Sequence, residues 1–300
     1  YSQGEYEQAR TLYERALAFW EKAFGPEHPE VATSLNNLAT VAYSQGEYEQ
    51  ARTLYERALA IWEKAFGPDH PHIAASLNNL AAVAESQSEY EQARNLIERA
   101  LAIEEKALGP DHPDVATSLN NLAAVAKSQG EYEQARTLHE RTLAIWEKAL
   151  GPDHPKVAAS LNNLAIVAKS QGEYEQARTL HERALAIREK ALGPDHPKVA
   201  TSLTGLGETL LALAKPAEAL APLERALTIC TTHDVDPALL AETRFTLARA
   251  LWTAPIPAGR DRPRARTLAE QTRETFASLG DAQTKKHAEV DAWLAKHPLP

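Results

Sequence analysis

The sequence predicts an all-α chain, a right-handed α-solenoid of stacked antiparallel helix pairs. Three observations point there. Asn-Asn pairs fall at Asn36-Asn37, Asn78-Asn79, Asn120-Asn121 and Asn162-Asn163, a constant step of 42 residues. Gly-Pro pairs beginning at Gly25, Gly67, Gly109, Gly151 and Gly193 keep that step, and residues 1–18 recur letter for letter as residues 43–60. Between these marks apolar residues recur at three- and four-residue spacing, the period of a helix.

Residues 1–24 read as the second helix of a unit whose partner helix is absent. That leaves an apolar stripe open to self-association at the truncated N-terminal end. Residues 25–200 hold four near-identical units, over 29–66, 71–108, 113–150 and 155–192. In the first of these, Pro29 suits the first helical position, where its missing N–H costs nothing. Val31, Leu35, Leu38, Val41 and Ala42 then form a stripe, and Gly46 interrupts the run. The second helix carries Tyr48, Ala51, Leu54, Tyr55, Ala58, Leu59, Trp62 and Phe66 on one face. Gly67 supplies a left-handed stop, and Pro68 forbids continuation. Two short turns per unit force antiparallel neighbours. Ala39, Ala51 and Ala58 mark where helices approach closely.

The C-terminal part departs from the copies. Residues 197–230 form a divergent unit in which Thr204-Gly205 replaces Asn-Asn. Residues 237–279 form a degenerate hairpin, with a first helix from Pro237 to Trp252, a Pro-rich link from Ala254 to Pro263, and a second helix from about Arg264 to Leu279. A last amphipathic helix over 281–297 takes Asp281 as N-cap and His287, Val290, Trp293 and Leu294 as its packing face. Terminal units of a solenoid are atypical because one side must meet water, and stability sums over units and their interfaces.

Totals exclude several functions. The formal charge is -9 and the pI about 5.7, with no clustered excess of Lys and Arg, so nucleic acid is not expected as a partner. No stretch reaches the roughly 20 apolar residues that cross a bilayer, and no signal segment opens the chain. Cys230 is the only cysteine, too few for a disulfide or a Cys-rich zinc site, which suits a reducing, cytoplasmic setting. The lack of any methionine predicts a piece of a longer chain.

No residue pattern supports catalysis, a metal or a cofactor. Serines are many, but none sits in a nucleophile turn, and no Gly-rich phosphate loop is present. His28, His70, His112, His154 and His196 recur once per unit, which keeps them too far apart to share an ion and marks them as turn residues before Pro. His139 and His181 replace Tyr13, Tyr55 and Ile97 on the second-helix stripe as packing variants. Trp20, Trp62 and Trp146 alternate with Glu104 and Arg188, so this position is expected at a partly exposed edge. Glu-Arg and Glu-Lys spacings around Glu56, Glu63 and Lys64 are expected as pairs within an outer helix face.

Leu38-Ala39, Gly46, Tyr48, Ala51, Tyr55 and Ala58 fit the spacing of tetratricopeptide repeats, and the chain resembles that family over nearly its whole length. The 42-residue unit with Ser-Leu-Asn-Asn-Leu-Ala resembles the repeats of kinesin light chains and of bacterial proteins carrying the same class. Leu206-Gly207, Ala219, Leu223 and Ala226 keep the family offsets in the divergent unit. The run from Pro237 to Trp252 resembles the C-terminal end of repeat regions attached to bacterial serine/threonine protein kinases, which implies a kinase domain upstream and a regulatory or docking arm here.

The resemblance implies a protein or peptide ligand in a concave groove lined by first helices. Three columns follow from the family positions: Asn36, Asn78, Asn120, Asn162 and Thr204; Thr40, Ala82, Ala124, Ile166 and Glu208; and Tyr43, Glu85, Lys127, Lys169 and Leu211. In kinesin light chains the asparagines of the first column contact cargo peptides, which the resemblance extends to this chain. An amide both donates and accepts, so it grips a peptide bond from both sides. Helices roughly 8–10 Å apart meet about every third residue of a chain rising roughly 3.3 Å per residue. Asn37, Asn79, Asn121 and Asn163 are expected to be structural. Lys127 and Lys169 favour an acidic ligand segment, which Glu85 opposes. The first two columns lack Lys and Arg, so a clamp for a free chain terminus is not expected. Repeats that self-stack into an assembly are the remaining alternative.

Overall fold

The computed structural model describes residues 3–280 and 283–298. Every regular element among them is helical, and none is a strand. The N-cap expected at Asp281 lies outside the described residues. The chain divides into two compact units, residues 1–149 and 150–300, each described by itself.

The first unit holds α1 (Gln3–Phe24), α2 (Pro29–Ser44), α3 (Tyr48–Phe66), α4 (Pro71–Ser86), α5 (Tyr90–Leu108), α6 (Pro113–Ser128) and α7 (Tyr132–Leu150). Their boundaries coincide with the Gly-Pro punctuation. The recurrent histidine is the N-cap: Nδ1 of His28, His70 and His112 accepts the backbone N–H two residues on, at 3.3, 3.3 and 3.2 Å. The ring does here what Ser or Asp does in most helices, covering an amide that the first turn leaves without a partner. Each cap is followed by Pro at the first helical position. At the far end Gly67 takes φ +83° and its N–H returns to the Glu63 carbonyl at 3.0 Å.

Each second helix packs against the first helix of its own repeat and the first helix of the next: α3 lies between α2 and α4, and α5 between α4 and α6. First helices also touch in series, α2 with α4 and α4 with α6, so they form one continuous face of this unit. Val31, Leu35, Ile61, Trp62, Ile73 and Leu77 build one cluster of the core. Ala39, Ala51 and Ala58 have no exposed surface, which is what lets the backbones approach.

The charged rows differ from expectation. Arg57 pairs with Glu21, Arg99 with Glu63, and Arg141 with Glu105. Lys64, Lys106 and Lys148 likewise pair with Glu27, Asp69 and Asp111. These bonds join successive repeats rather than turns of one helix. The 42-residue repeat brings equivalent helices side by side, so a long side chain reaches the neighbouring copy.

The second unit holds α8 (Pro155–Ser170), α9 (Tyr174–Leu192), α10 (Pro197–Ala212), α11 (Pro216–Thr232), α12 (Pro237–Thr253), α13 (Arg262–Ser278) and α14 (Thr284–Lys296), with a 3-10 turn at Ile256–Ala258. His154 and His196 cap α8 and α10 as their counterparts do. In α10, Thr204-Gly205 stands where the earlier copies have Asn-Asn. A Cβ on Gly205 would lie 2.6 Å from the His181 ring, and one on Gly207 would lie 2.5 Å from the Leu223 side chain. In α14, Val290 and Leu294 are buried and Trp293 meets Phe245 and Trp252 edge-on, at 5.9 and 5.5 Å. His287 stays half-buried and faces Asp291 at 3.4 Å, on the side of the helix.

Candidate peptide-binding face

In the first unit the serial contact of α2, α4 and α6 sets the three predicted columns in register. The asparagines form a ladder across the repeats. Asn79 Nδ2 donates to Asn36 Oδ1 at 3.1 Å, and Asn121 Nδ2 donates to Asn78 Oδ1 at 3.4 Å. Asn78 Nδ2 donates in turn to Ser118 Oγ at 2.7 Å and to Glu104 at 3.4 Å. Asn36, Asn78 and Asn120 are half-buried, and Asn120 is also engaged. Asn36, Asn78, Asn79 and Asn121 therefore tie repeats together. An amide has two donors and two acceptor sites, and the Asn78 oxygen uses one acceptor site on Asn121.

The outer columns are more available. Thr40 is exposed, with its hydroxyl on the Asn36 carbonyl and the Tyr55 hydroxyl, both at 2.9 Å. Tyr43 reaches Ser86 of the next first helix at 3.0 Å and packs on Tyr48. Glu85 and Lys127 follow on α4 and α6, both half-buried. Burial pushes the Glu85 carboxyl above its usual range, while the Lys127 charge pulls it back.

In the second unit Asn162 is enclosed, 5% exposed. The orientation that satisfies its neighbours turns its amide toward His181 Nδ1 at 3.1 Å and its oxygen toward Arg188 at 2.7 Å. Lys169 is ion-paired with Glu208, which offsets the positive charge expected to attract an acidic segment. Ile166, Lys169, Glu208, Glu242, Phe245 and Arg249 line part of a pocket of about 270 Å³.

The Trp/Glu/Arg position is not an edge. Trp62, Glu104, Trp146 and Arg188 are 7%, 5%, 5% and 6% exposed. Charge is tolerated there because a serine of the following first helix meets it. Ser118 donates to the Glu104 carboxylate at 2.6 Å, and Arg188 donates to Ser202 and to the Lys198 carbonyl, both at 2.8 Å. Opposite Trp62, the equivalent Ser76 hydroxyl has no partner. The signal lay in the sequence as a serine fourteen residues after each of these positions. Thr40 and Tyr55 form a second such linkage, a hydroxyl pair for which the next repeat has Ala82 and Ile97 at the equivalent positions.

The tetratricopeptide repeat model matches residues 1–64, 34–106, 72–140, 114–190 and 158–232. The chain belongs to the tetratricopeptide repeat family. Among solved structures it is similar to a chain from Podosopora anserina described as a kinesin light chain of nearly identical TPR-like repeats. That likeness is at 30% identity over 69% of this chain and 99% of that one, with a TM-score of 0.59. It shares the fold of BtubC (BKLC) from P. vanneervenii at 24% identity, covering 77% of this chain and 94% of that one, with a TM-score of 0.65. It also shares the fold of the apo form of RapI at 17% identity, covering 89% and 68%, with a TM-score of 0.65. No curated protein sequence matches the chain. Tetratricopeptide repeats generally serve protein–protein interaction and are generally non-catalytic scaffolds. Among the described residues no helix is long and apolar enough to cross a membrane, and no three His, Cys, Asp or Glu side chains group to hold a metal ion.

Proposed function

We propose that the chain is a protein-interaction scaffold that holds an extended segment of a partner along the first-helix face. The observation that carries this is the unbroken series α2, α4, α6, which presents Tyr43, Glu85 and Lys127 as successive contacts over a base of Asn36, Asn78 and Asn120. Repeats alike elsewhere differ at this column, so it is where selectivity resides. The amides of Asn36 and Asn78 are held by bonds between repeats rather than free for a two-sided grip. In the second unit Ile166 and Lys169 take the same role, and Asn162 acts through its neighbours. A reducing, cytoplasmic setting fits the single buried thiol of Cys230. A peptide-library screen tests the reading, repeated with Glu85→Lys and Lys127→Glu, which exchange charge and leave the asparagine ladder intact. The selected sequences should shift in charge by position. Identical selections from all three proteins overturn it.

A second reading is self-association through α1, where Leu12, Phe19 and Phe24 are 62%, 62% and 56% exposed. Light scattering across concentration should show dimers that Phe19→Glu dissolves. A strictly monomeric chain removes this reading.

A further inference from the structure

One copy of the Trp/Glu/Arg position differs from the rest in space as well as charge. At 62 and 146 an indole is buried, and at 188 a guanidinium fills its own site and is satisfied by Ser202 and the Lys198 carbonyl. At 104 the side chain is a shorter carboxylate. It accepts from Ser118 and Asn78, and no cation among the described residues pairs with it. Beside it lies a pocket of about 270 Å³ bounded by Pro71, Ala75, Asn78, Glu104, Leu108 and Asp114.

The geometry points to a binding site for an organic cation, a primary ammonium or guanidinium on an alkyl stem, with its charge on the Glu104 carboxylate and its stem against Pro71, Ala75 and Leu108. A carboxylate held out of water without a counter-charge is costly. The desolvation is large enough to raise the Glu104 carboxyl to about 7, with the Asp114 charge on α6 acting in the same direction and the Ser118 hydroxyl against it. The polar side chains that α4 brings to the pocket are the neutral carboxamides of Asn78 and Asn79, and His112 faces Asp114 at 3.6 Å rather than Glu104. An entering cation supplies the missing charge and favours the ionised form. Apolar walls match an alkyl stem and suit a hydrated divalent ion poorly, since such ions take six or more oxygen ligands. Where the cation is a Lys or Arg side chain of a bound segment, the inference rests on the scaffold reading above; a free alkyl amine is the other source of the same chemistry.

Calorimetry of the full chain at pH 8 tests it with two probes, agmatine and a blocked pentapeptide of alanines around one arginine. Either probe should bind in the millimolar range or tighter. A peptide that binds better than agmatine assigns the site to a partner's side chain, and equal affinities assign it to free amines. Glu104→Gln keeps the shape and should weaken binding at least tenfold. Glu104→Trp installs the residue found at 62 and 146, so it should fold, fill the pocket and abolish binding. Lowering the pH from 8 to 6 protonates a carboxyl that titrates near 7 and should weaken binding about tenfold. Silence of both probes at pH 8, or wild-type affinity in Glu104→Trp, overturns the proposal. Library peptides that bind while both probes fail sink the pocket alone, and agmatine binding with an empty library screen sinks the scaffold reading alone.

Discussion

His139 and His181 are each 2% exposed, and burial holds both rings neutral, down at about 4 from the ordinary 6.5. A group whose pKa falls on folding stabilises the protein above its unfolded value and loses that contribution as the pH drops toward the folded one. The window here runs from 6.5 down to 4. His139→Ile copies the second repeat, which has Ile97 at the equivalent position and Ala82 where the third has Ala124. It should flatten the acid limb, with a gain of about 2 kcal/mol at pH 5 relative to pH 8, read from urea midpoints. Glu104 has the opposite sign. Its raised pKa favours the fold below 4.5, and that advantage disappears as the pH climbs through about 7. Glu104→Gln should therefore stabilise at pH 8 and not at pH 4.5, by about 2 kcal/mol after allowance for solvent at the pocket. The burial of Glu104 could not be read from its own column, because a run of Trp, Glu and Arg looks like an exposed site. The hydroxyl that admits the charge belongs to the next repeat. The asparagine columns are linked in the same way: Asn36, Asn78, Asn79 and Asn121 each bond to a residue about one period away, a connection that a residue-by-residue reading does not show.

At the scale of the helix, boundaries were legible because Gly, Pro and a capping residue mark them in every copy. The capping role of histidine was not, since imidazole is an uncommon cap and its Nδ1 shows its use only in the bonded geometry. His70→Ala should cost about 1 kcal/mol by removing an N-cap acceptor. The turn between paired helices uses glycine at 46, 130 and 172 with φ near +80°, but Ser88 and Ala214 hold the same turn at +64° and +57°. A side chain in that region costs about 1 kcal/mol. Ser88→Gly should raise the unfolding free energy by somewhat less than that, since glycine also gains freedom in the unfolded chain. Ala51 has no exposed surface, and Ala51→Leu should overpack α3 against its neighbours at about 1–3 kcal/mol. A differential scan of each variant reads these shifts.

For the molecule as a whole, the period told almost everything about the fold, since one repeat explains its neighbours. It told less about the C-terminal helices, where Gly205 and Gly207 make room for His181 and Leu223 and no copy exists for comparison. It told least about recognition, because the variable residues Tyr43, Glu85 and Lys127 are known to differ without revealing what they select. The inter-repeat ion pairs are exposed and worth about 0–1 kcal/mol each.

The histidine cap and the proline after it meet at the same peptide bond in every repeat. Excision of residues 29–70 would join His28 directly to Pro71, recreating that bond and placing α1 against α4 as α3 lies now. A gene encoding such a chain can shed or acquire whole modules without a scar. The length of the array can therefore change by whole 42-residue modules with every junction kept.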